Sequence, residues 1–512
     1  MLKVVHSESV VDSYPDGAQA WLSTWFGRME KGDPRDFQPP LWARSDRGDI
    51  VDEWLKRHPS TGFPSLDEFE RDARSLTGTS SVLRAWSERE REARLTYENR
   101  PDSIDPARLQ KAKELVTHWL KPSRTLRPSD LETVVEEAEK STNWGAPFFA
   151  SGRDTWREHL KIARNLGEDF GPDAELSSVA GARVQSHGDE SRNRLIWITA
   201  HAYVLRELAY LRPLLGRHAR TPGFSAWGRP DDVDAGATRV INSSGSRPTL
   251  SGDFSSFDAT VPDSILLAAN DITKAHFQVE NDTALDSLTL IMTESPLLVP
   301  GELWTGPHGI GSGFGKTNWD GTMSHLLIIA YVAVSLDVVV EDYEILGDDG
   351  IYSLNPFPDP KEVEGVVKEL GMGMNAEKQF VGVGEVHFLQ RWHSREYSRN
   401  GVYPGVRSAV RTINSTISPE RDRGDWSQDM LSVNSIMQLE NAKHHMFFDE
   451  LVGYYVEGDP NLRGKPETLL ARAGGEKRVK EELGVGSFPY RFQPLDRYKD
   501  FAAVESIRRQ FG

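Results

Sequence analysis

Apolar positions change period several times along the chain, and each change marks an element. Spacings of three and four residues predict amphipathic helices over Arg108–Leu120, from Asp130-Leu131-Glu132-Thr133 through Lys140, and over Trp156–Leu166. Arg192-Asn193-Arg194-Leu195-Ile196-Trp197-Ile198 reads as an apolar strand with a basic edge, preceded by Arg183. A short strand from Thr249 runs into Asp253, and Pro262 with Asp263 starts a helix carrying Ile265 to Phe277. A glycine-dense loop over Gly306–Asn318 enters an apolar helix whose near-continuous run, Leu326–Leu336, is too short for a bilayer and is expected to be buried. In Glu344–Leu354 two apolar arms flank Gly347-Asp348-Asp349-Gly350, the pattern of an antiparallel hairpin that carries two carboxylates at its tip. Asp359-Pro360-Lys361-Glu362 combines a cap, a first-turn proline and a box partner, and its helix is expected to run to Leu370 and stop at Gly371. Val386–Trp392 reads as one strand. From Arg395 the chain turns basic (Arg395, Arg399, Arg407, Arg411, Arg421, Arg423) and is expected to be mostly helical, with an aromatic tail at Tyr490–Tyr498. Residues 1–135 are polar, rich in Trp and charge, and broken by Pro39-Pro40 and Pro122. They offer helices but no chemistry and no repeat.

At 512 residues the chain is longer than one core supports, so several subdomains are expected. Mean hydropathy is −0.50, and the sequence shows no charged-then-apolar leader, so neither a membrane span nor a secretory signal is expected. The absence of cysteine excludes disulfides, zinc-thiolate sites and thiol catalysis, and suits a reducing compartment. Net charge is −17, from 60 Lys and Arg against 77 Asp and Glu, which argues mildly against a nucleic-acid binder. Charges beyond a Debye length of about 8 Å hardly affect a local groove, so distribution outweighs the sum.

Four stretches carry candidate chemistry. The paired Asp348 and Asp349 repel each other, and a divalent cation is the obvious group to neutralise them, although solvated turns also carry such pairs. Asp253 and Asp258 stand five apart, so a continuous strand would face them oppositely; Ser255-Ser256 lets the chain turn between them. The glycines of Gly306–Asn318 permit close backbone approach, and the following helix start offers free N–H groups to anions. This is no Walker loop, because Ile310 stands where the first glycine should be; Thr317 with Asp320 also fits a capping box. Arg192 and Arg194 offer two permanently charged forks suited to a triphosphate, against the plainer reading of a solvated strand edge. The loop Thr142-Asn143-Trp144-Gly145-Ala146-Pro147-Phe148 reads equally as a turn or as a guide for a nucleic-acid strand.

In this order the pieces resemble the palm of a viral RNA-dependent RNA polymerase, most similar in style to picobirnavirus and partitivirus polymerases of double-stranded RNA viruses. The resemblance rests on Asp253 and Asp258, Ser312-Gly313 with Thr317, Gly347-Asp348-Asp349, Lys378, and Phe388-Leu389-Gln390-Arg391, over about residues 180 to 395. It implies an α+β, closed right hand in which fingers, palm and thumb encircle a channel, with an antiparallel palm sheet flanked by helices. The implied division is 1–135 as an extension linking fingers and thumb, 136–248 as fingers, 249–280 and 306–395 as palm, 281–305 as a fingers insertion, and 396–512 as thumb and C-terminal segment. It further implies two Mg²⁺ or Mn²⁺ ions on Asp253, Asp348 and Asp349, with the Phe254 carbonyl as a further ligand. Arg192 and Arg194 would hold the triphosphate and Lys378 would protonate the departing pyrophosphate.

By the same resemblance Asp258, Ser312 and a residue of the following helix read the ribose, within a nucleotide site that includes Gly313 and Thr317. The family carries Asn or Asp nine residues after the serine, where this chain has Gly321; Asn318 and Asp320 are the candidates, Asn318 preferred. Thr142, Asn143, Pro147, Gln390 and Arg391 would contact RNA. Implied partners are RNA template and product, ribonucleoside triphosphates and a viral capsid protein, with no membrane, in the virion interior or host cytoplasm. The competing readings are a reverse transcriptase, against which Asp258 argues because an aromatic usually stands there, and an inactive RNA-binding, capsid-associated protein.

Overall fold

The computed structural model describes residues 2–98, 103–188, 190–420, 424–483 and 493–512. Arg421, Arg423 and the start of the aromatic tail at Tyr490 lie outside these residues.

The described strands form four sheets. One has five strands in the order β1 (Lys3–His6), β7 (Glu302–Thr305), β6 (Leu297–Val299), β2 (Ser178–His187) and β3 (Glu190–Ile198). A second has four, in the order β11 (Phe380–Val383), β4 (Pro248–Gly252), β9 (Asp349–Asn355) and β8 (Val339–Leu346). β5 (Phe254–Ser255) pairs with β10 (Gly373–Met374) in a third, and β12 (Glu385–Phe388), β13 (Arg391–Ser394) and β14 (Val406–Arg407) make a fourth, small sheet. Among these strands every pairing is antiparallel except β2 with β6.

The helix Thr317–Leu336 packs behind the four-stranded sheet and is buried along most of its length, because its residues are apolar or small on every side. It is long and apolar enough to cross a membrane, yet 83% of its apolar window is buried inside the fold, as a core helix is. Asp359 and Glu362 form the reciprocal capping box, and the helix Pro360–Glu369 ends before Gly371 at φ +74°.

Three expectations are corrected. Val386–Trp392 is a hairpin, β12–β13, that turns at Leu389 and Gln390 with φ of +49° and +63°. Neither residue is a usual turn former, so the local sequence gave no sign of it. The helix begun at Leu131 stops at Glu137, and Lys140 folds back to donate to the Glu136 carbonyl at 3.2 Å. Thr317 and Asp320 make no capping box: the Thr317 hydroxyl donates to the Gly311 carbonyl at 2.7 Å, and Asp320 pairs with Lys316.

The N-terminal segment joins two cores. Tyr14, Ala18, Leu22, Met29 and Trp86 pack with the helices and strands of residues 146–374, whereas Ile50, Val51, Trp54 and Ala73 pack with the helices from Ala409 to Ile507. Glu70 fastens the second junction. Its buried carboxylate accepts from the Ser408 hydroxyl at 2.6 Å and from the Ala409 and Val410 N–H groups at 2.8 and 3.0 Å, and it also meets His445 at 3.1 Å. Burial alone would raise its pKa, but the His445 and Ser408 bonds overcome that and hold it below the usual range.

Candidate active site

Strand register assembles the acidic corner. β4 and β9 pair Leu250 with Tyr352, Ser251 with Ile351 and Gly252 with Gly350. Asp253 and Asp349 follow directly on this last pair, within electrostatic reach of each other. β8 and β9 close through a two-residue turn, Gly347-Asp348, with Leu346 paired to Asp349 and Gly347 at φ +59°. Asp253 lies between β4 and β5; after Ser255, Ser256 adopts the left-handed conformation (φ +54°) and starts the short helix Phe257–Thr260 that carries Asp258. The chain thus turns at the serine pair, which frees Asp258 from the strand's alternation.

Asp253, Asp258, Asp348 and Asp349 are all open to solvent, with Asp258 and Asp349 set deepest among surrounding protein. None of the four makes a side-chain ion pair in the described structure. Burial, then repulsion from Asp348, pushes Asp258 up to about 7. Burial, then Asp348 and Asp253, pushes Asp349 up to about 7 as well. Asp253 is raised by burial and by Asp348, and is moderated by Lys378, Arg192 and Arg194. A water-accessible concavity with mutually repelling carboxylates is therefore faced by Arg192, Arg194, Lys378 and Arg411, which leave it under-neutralised.

The basic side comes from β3. Arg192 and Arg194 are exposed on one face, two residues apart, with Asn193 buried between them. Burial, then Arg192, lowers the Arg194 pKa, while Asp348 and Asp258 act on it in the opposite sense. Arg183, the register partner of Arg194, is instead engaged by Glu420 at 2.9 Å.

The glycine loop is laid along β3. The Trp197 N–H donates to the Ser312 carbonyl at 3.0 Å, and the Ser312 hydroxyl donates to the Leu195 carbonyl at 3.1 Å. Gly313 has φ +150°, and a Cβ there would lie 2.0 Å from the Trp197 carbonyl oxygen, so only glycine fits. The Ile310 N–H donates to the Asp258 carbonyl at 2.7 Å, which ties the loop to Asp258. Ser312, Asp258 and the arginine strand are thereby held as one unit.

The two helix candidates separate clearly. The Asn318 amide oxygen lies 3.5 Å from where a Cβ on Gly347 would stand, beside the acidic turn. Asp320 is buried and faces away from it, 3.4 Å from the Lys316 ammonium. Glu207 is the third member of that inner cluster: it accepts from the Gly315 N–H at 2.5 Å, and burial pushes it up to about 8.

Other expected residues distribute unevenly. Lys378 is exposed in a short turn after Asn375, within electrostatic reach of Asp253. The Phe254 ring packs on Phe257 and His325, with centroids at 5.3 and 4.8 Å. Thr142 is exposed and Pro147 half-buried, but the Asn143 amide is turned inward, donating to the Phe149 carbonyl at 2.7 Å and accepting from the Gly145 N–H at 2.8 Å. Asn143 shapes its loop instead of offering its amide to RNA. Gln390 is exposed at the β12–β13 turn, whereas Arg391, expected to meet RNA, is 6% exposed and lies inside the small sheet.

Sequence reasoning passed over the side chains that bond the acidic turns themselves. The Gln379 amide accepts from the Asp253 N–H at 2.8 Å and donates to the Asp253 carbonyl at 2.9 Å. The Thr322 hydroxyl accepts from the Gly347 N–H at 2.9 Å, and His325 Nδ1 meets the Gly347 carbonyl at 2.8 Å. The only signal for the last pair is their position one and four residues after Gly321 on the same helix.

Acidic turns at the end of an antiparallel sheet, a glycine loop and an arginine strand around one concavity define a right-hand polymerase. The chain belongs to the family described as viral RNA-dependent RNA polymerase, whose profile matches residues 101–415. It is 27% identical over 466 residues to a potential RNA-dependent RNA polymerase of human picobirnavirus (strain Human/Thailand/Hy005102/-), covering 86% of each chain. It is 25% identical over 277 residues to the RNA-directed RNA polymerase of Cryptosporidium parvum virus 1, covering 49% of this chain and 52% of that one. The crystal structure of a human picobirnavirus RNA-dependent RNA polymerase superposes with a TM-score of 0.84 at 24% identity, over 98% of this chain and 99% of the other. Its insertion-loop deletion mutant superposes with a TM-score of 0.83 at 25% identity, over the same shares. The fold is accordingly the α+β right hand, and the protein is an RNA-directed RNA polymerase of the double-stranded RNA virus type.

Proposed function

We propose that this polymerase replicates and transcribes a viral RNA genome by two-metal-ion nucleotidyl transfer, with Asp253 and Asp348 holding two divalent cations, Mg²⁺ or Mn²⁺. One observation carries the reading: the β4–β9 register brings Asp253 to the acidic hairpin turn although the two lie far apart in sequence. The donor set fits hard cations, because unpaired carboxylates crowd one water-accessible concavity and repel one another. Among the described residues no three acidic or histidine side chains form a ready-made cage. That suits Mg²⁺, which is commonly held by one or two carboxylates with water and substrate phosphates completing its shell. When bound, such a pair stabilises charge on both the attacking and the leaving oxygens of an in-line displacement.

The chain's own residues then divide the work. Asp349 and the Phe254 carbonyl support the ion-holding pair. Arg192 and Arg194 grip the triphosphate through charge-assisted hydrogen bonds. Lys378, beside Asp253, gives a proton to the departing pyrophosphate. Asp258, the lone pairs of the Ser312 hydroxyl and Asn318 read the ribose 2′-hydroxyl, in a loop whose shape depends on Gly313 and Thr317. Thr142 and Gln390, both exposed, and the half-buried Pro147 are offered to template or product RNA. A capsid protein is the expected partner, in the virion interior or host cytoplasm.

The test is extension of a defined RNA template with ribonucleoside triphosphates, with and without Mg²⁺ or Mn²⁺. Incorporation that persists after complete chelation of divalent ions would remove the two-ion reading.

A further inference from the structure

The two acidic turns are held in the same manner, by side chains that act as a missing strand. At Asp253 the neighbouring peptide partner is the Gln379 amide. Its oxygen accepts from the Asp253 N–H at 2.8 Å, and its nitrogen donates to the Asp253 carbonyl at 2.9 Å and to the Asn375 carbonyl at 3.0 Å. That pattern fixes the amide's orientation, since a flipped amide would set N–H against N–H and oxygen against two carbonyls.

At Gly347 two residues of the helix Thr317–Leu336 do the equivalent work. The Thr322 hydroxyl donates to the Asn318 carbonyl at 2.6 Å, which leaves its lone pair for the Gly347 N–H at 2.9 Å. A carbonyl can only accept, so the 2.8 Å contact from His325 Nδ1 to the Gly347 oxygen assigns the ring proton to Nδ1. His325 Nε2 is then an acceptor, and the Tyr352 hydroxyl is its donor. Thr322, His325 and Tyr352 are all fully buried. Gly350 makes room for the relay: a Cβ there would lie 2.1 Å from the Tyr352 hydroxyl and 2.7 Å from the His325 ring. Tyr352 sits on β9 three residues after Asp349 and pairs with Leu250 of β4, so the relay ties helix, turn and both acidic strands together.

We infer that Gln379 and the Thr322–His325–Tyr352 relay are positioning residues that set the separation of Asp253 from Asp348. They act through the backbone, and the inference rests on the reading that these two aspartates hold the ions. The backbone N–H and C=O of both Asp253 and Gly347 are engaged, so neither turn can rotate without giving up two partly buried hydrogen bonds. Position matters because a displacement of about 1 Å can cost about a hundredfold in rate.

The test compares His325→Asn with His325→Gln in the full chain. The Asn amide nitrogen reproduces Nδ1, whereas the Gln amide reproduces Nε2 and leaves the Gly347 carbonyl without its donor. Mn²⁺ binding is followed by electron paramagnetic resonance in the absence of nucleotide, beside kcat and nucleotide KM on an RNA template. We expect His325→Gln to weaken Mn²⁺ binding and lower kcat, each by about tenfold or more, with KM within about threefold; His325→Asn should recover most of both. Equal Mn²⁺ binding in wild type and His325→Gln would overturn the inference. So would equal losses in the two variants tracking a common loss of thermal stability. Should His325→Gln not fold, Thr322→Val against Thr322→Ser asks the same question, since only the serine keeps the hydroxyl. Asp348→Asn is the control: if it binds Mn²⁺ as wild type does, the ion assignment itself fails and takes this inference with it. Loss in Asp348→Asn with none in either clamp series refutes the clamp alone.

Discussion

The sheet carrying Asp253 and Asp349 and the sheet carrying Arg192 and Arg194 serve one concavity, but they are assembled differently. The acidic sheet takes its four strands from residues 248 to 383, and side chains of one helix and one turn bond the backbone of its functional corner. The basic sheet gathers strands from residue 3 to residue 305, and its two exposed arginines project from an edge strand. Under the proposed roles, fixed carboxylates beside freer guanidiniums suit a site whose reacting centre stays rigid while the triphosphate arrives and pyrophosphate leaves. Changes on the acidic side should therefore appear in turnover, and changes on the basic side in nucleotide affinity.

The largest expected effect is at the hairpin. Asp348→Asn should lower incorporation by about 10³-fold or more without lowering the melting temperature, because it removes a repelling charge without changing shape. Near-normal extension by that variant would erase the contrast between the sheets. Next comes the basic strand: Arg194→Ala should raise the nucleotide KM by about tenfold and leave kcat within about threefold. A kcat-only defect, measured by steady-state incorporation, would show that the arginine acts on the transition state instead. Smaller again, Asn318→Ala or Asp258→Ala should reduce preference for ribo- over deoxyribonucleotides by about tenfold, read from competing incorporation on one template. Unchanged preference removes the altered residue from sugar selection.

The smallest effect is one of pH. The Asp258 pKa is raised in the folded chain, to about 7, so the folded state binds the proton more tightly than the unfolded state. Its contribution to stability is full below the ordinary carboxylate pKa and is lost as pH rises toward about 7. Asp258→Asn should therefore become progressively more stable relative to wild type across that window without divalent ions. A difference in melting temperature that is flat with pH would show that Asp258 is not held under repulsion.

These contrasts also explain what could be read from the chain alone. The acidic hairpin, the Asp253 strand end, the capped helix at Asp359 and the buried helix through Leu336 all follow from local patterning, and the structure has each of them. Asn318 could not be separated from Asp320 because both lie on one helix near Gly321. Only packing shows that Lys316 takes the second inward. β1 was invisible because its pairing partner, β7, lies about three hundred residues away and no local feature specifies it. The RNA contact implied for Arg391 came with the motif Phe388-Leu389-Gln390-Arg391, which carries no sign of the β12–β13 turn that places this side chain inside the small sheet. Gln379 and His325 act on backbone groups, and backbone groups leave no trace in residue identity.

The N-terminal segment that packs against both cores has a consequence for how substrate gets in. Parting the C-terminal helices from the rest would strip Glu70 of its partners at Ser408, Ala409 and Val410 and leave a carboxylate stranded in a dry interior. A hand strapped shut this way favours loading by a free RNA end over clasping a strand in its middle. Covalently closed RNA circles should accordingly be poor templates beside the same sequence made linear.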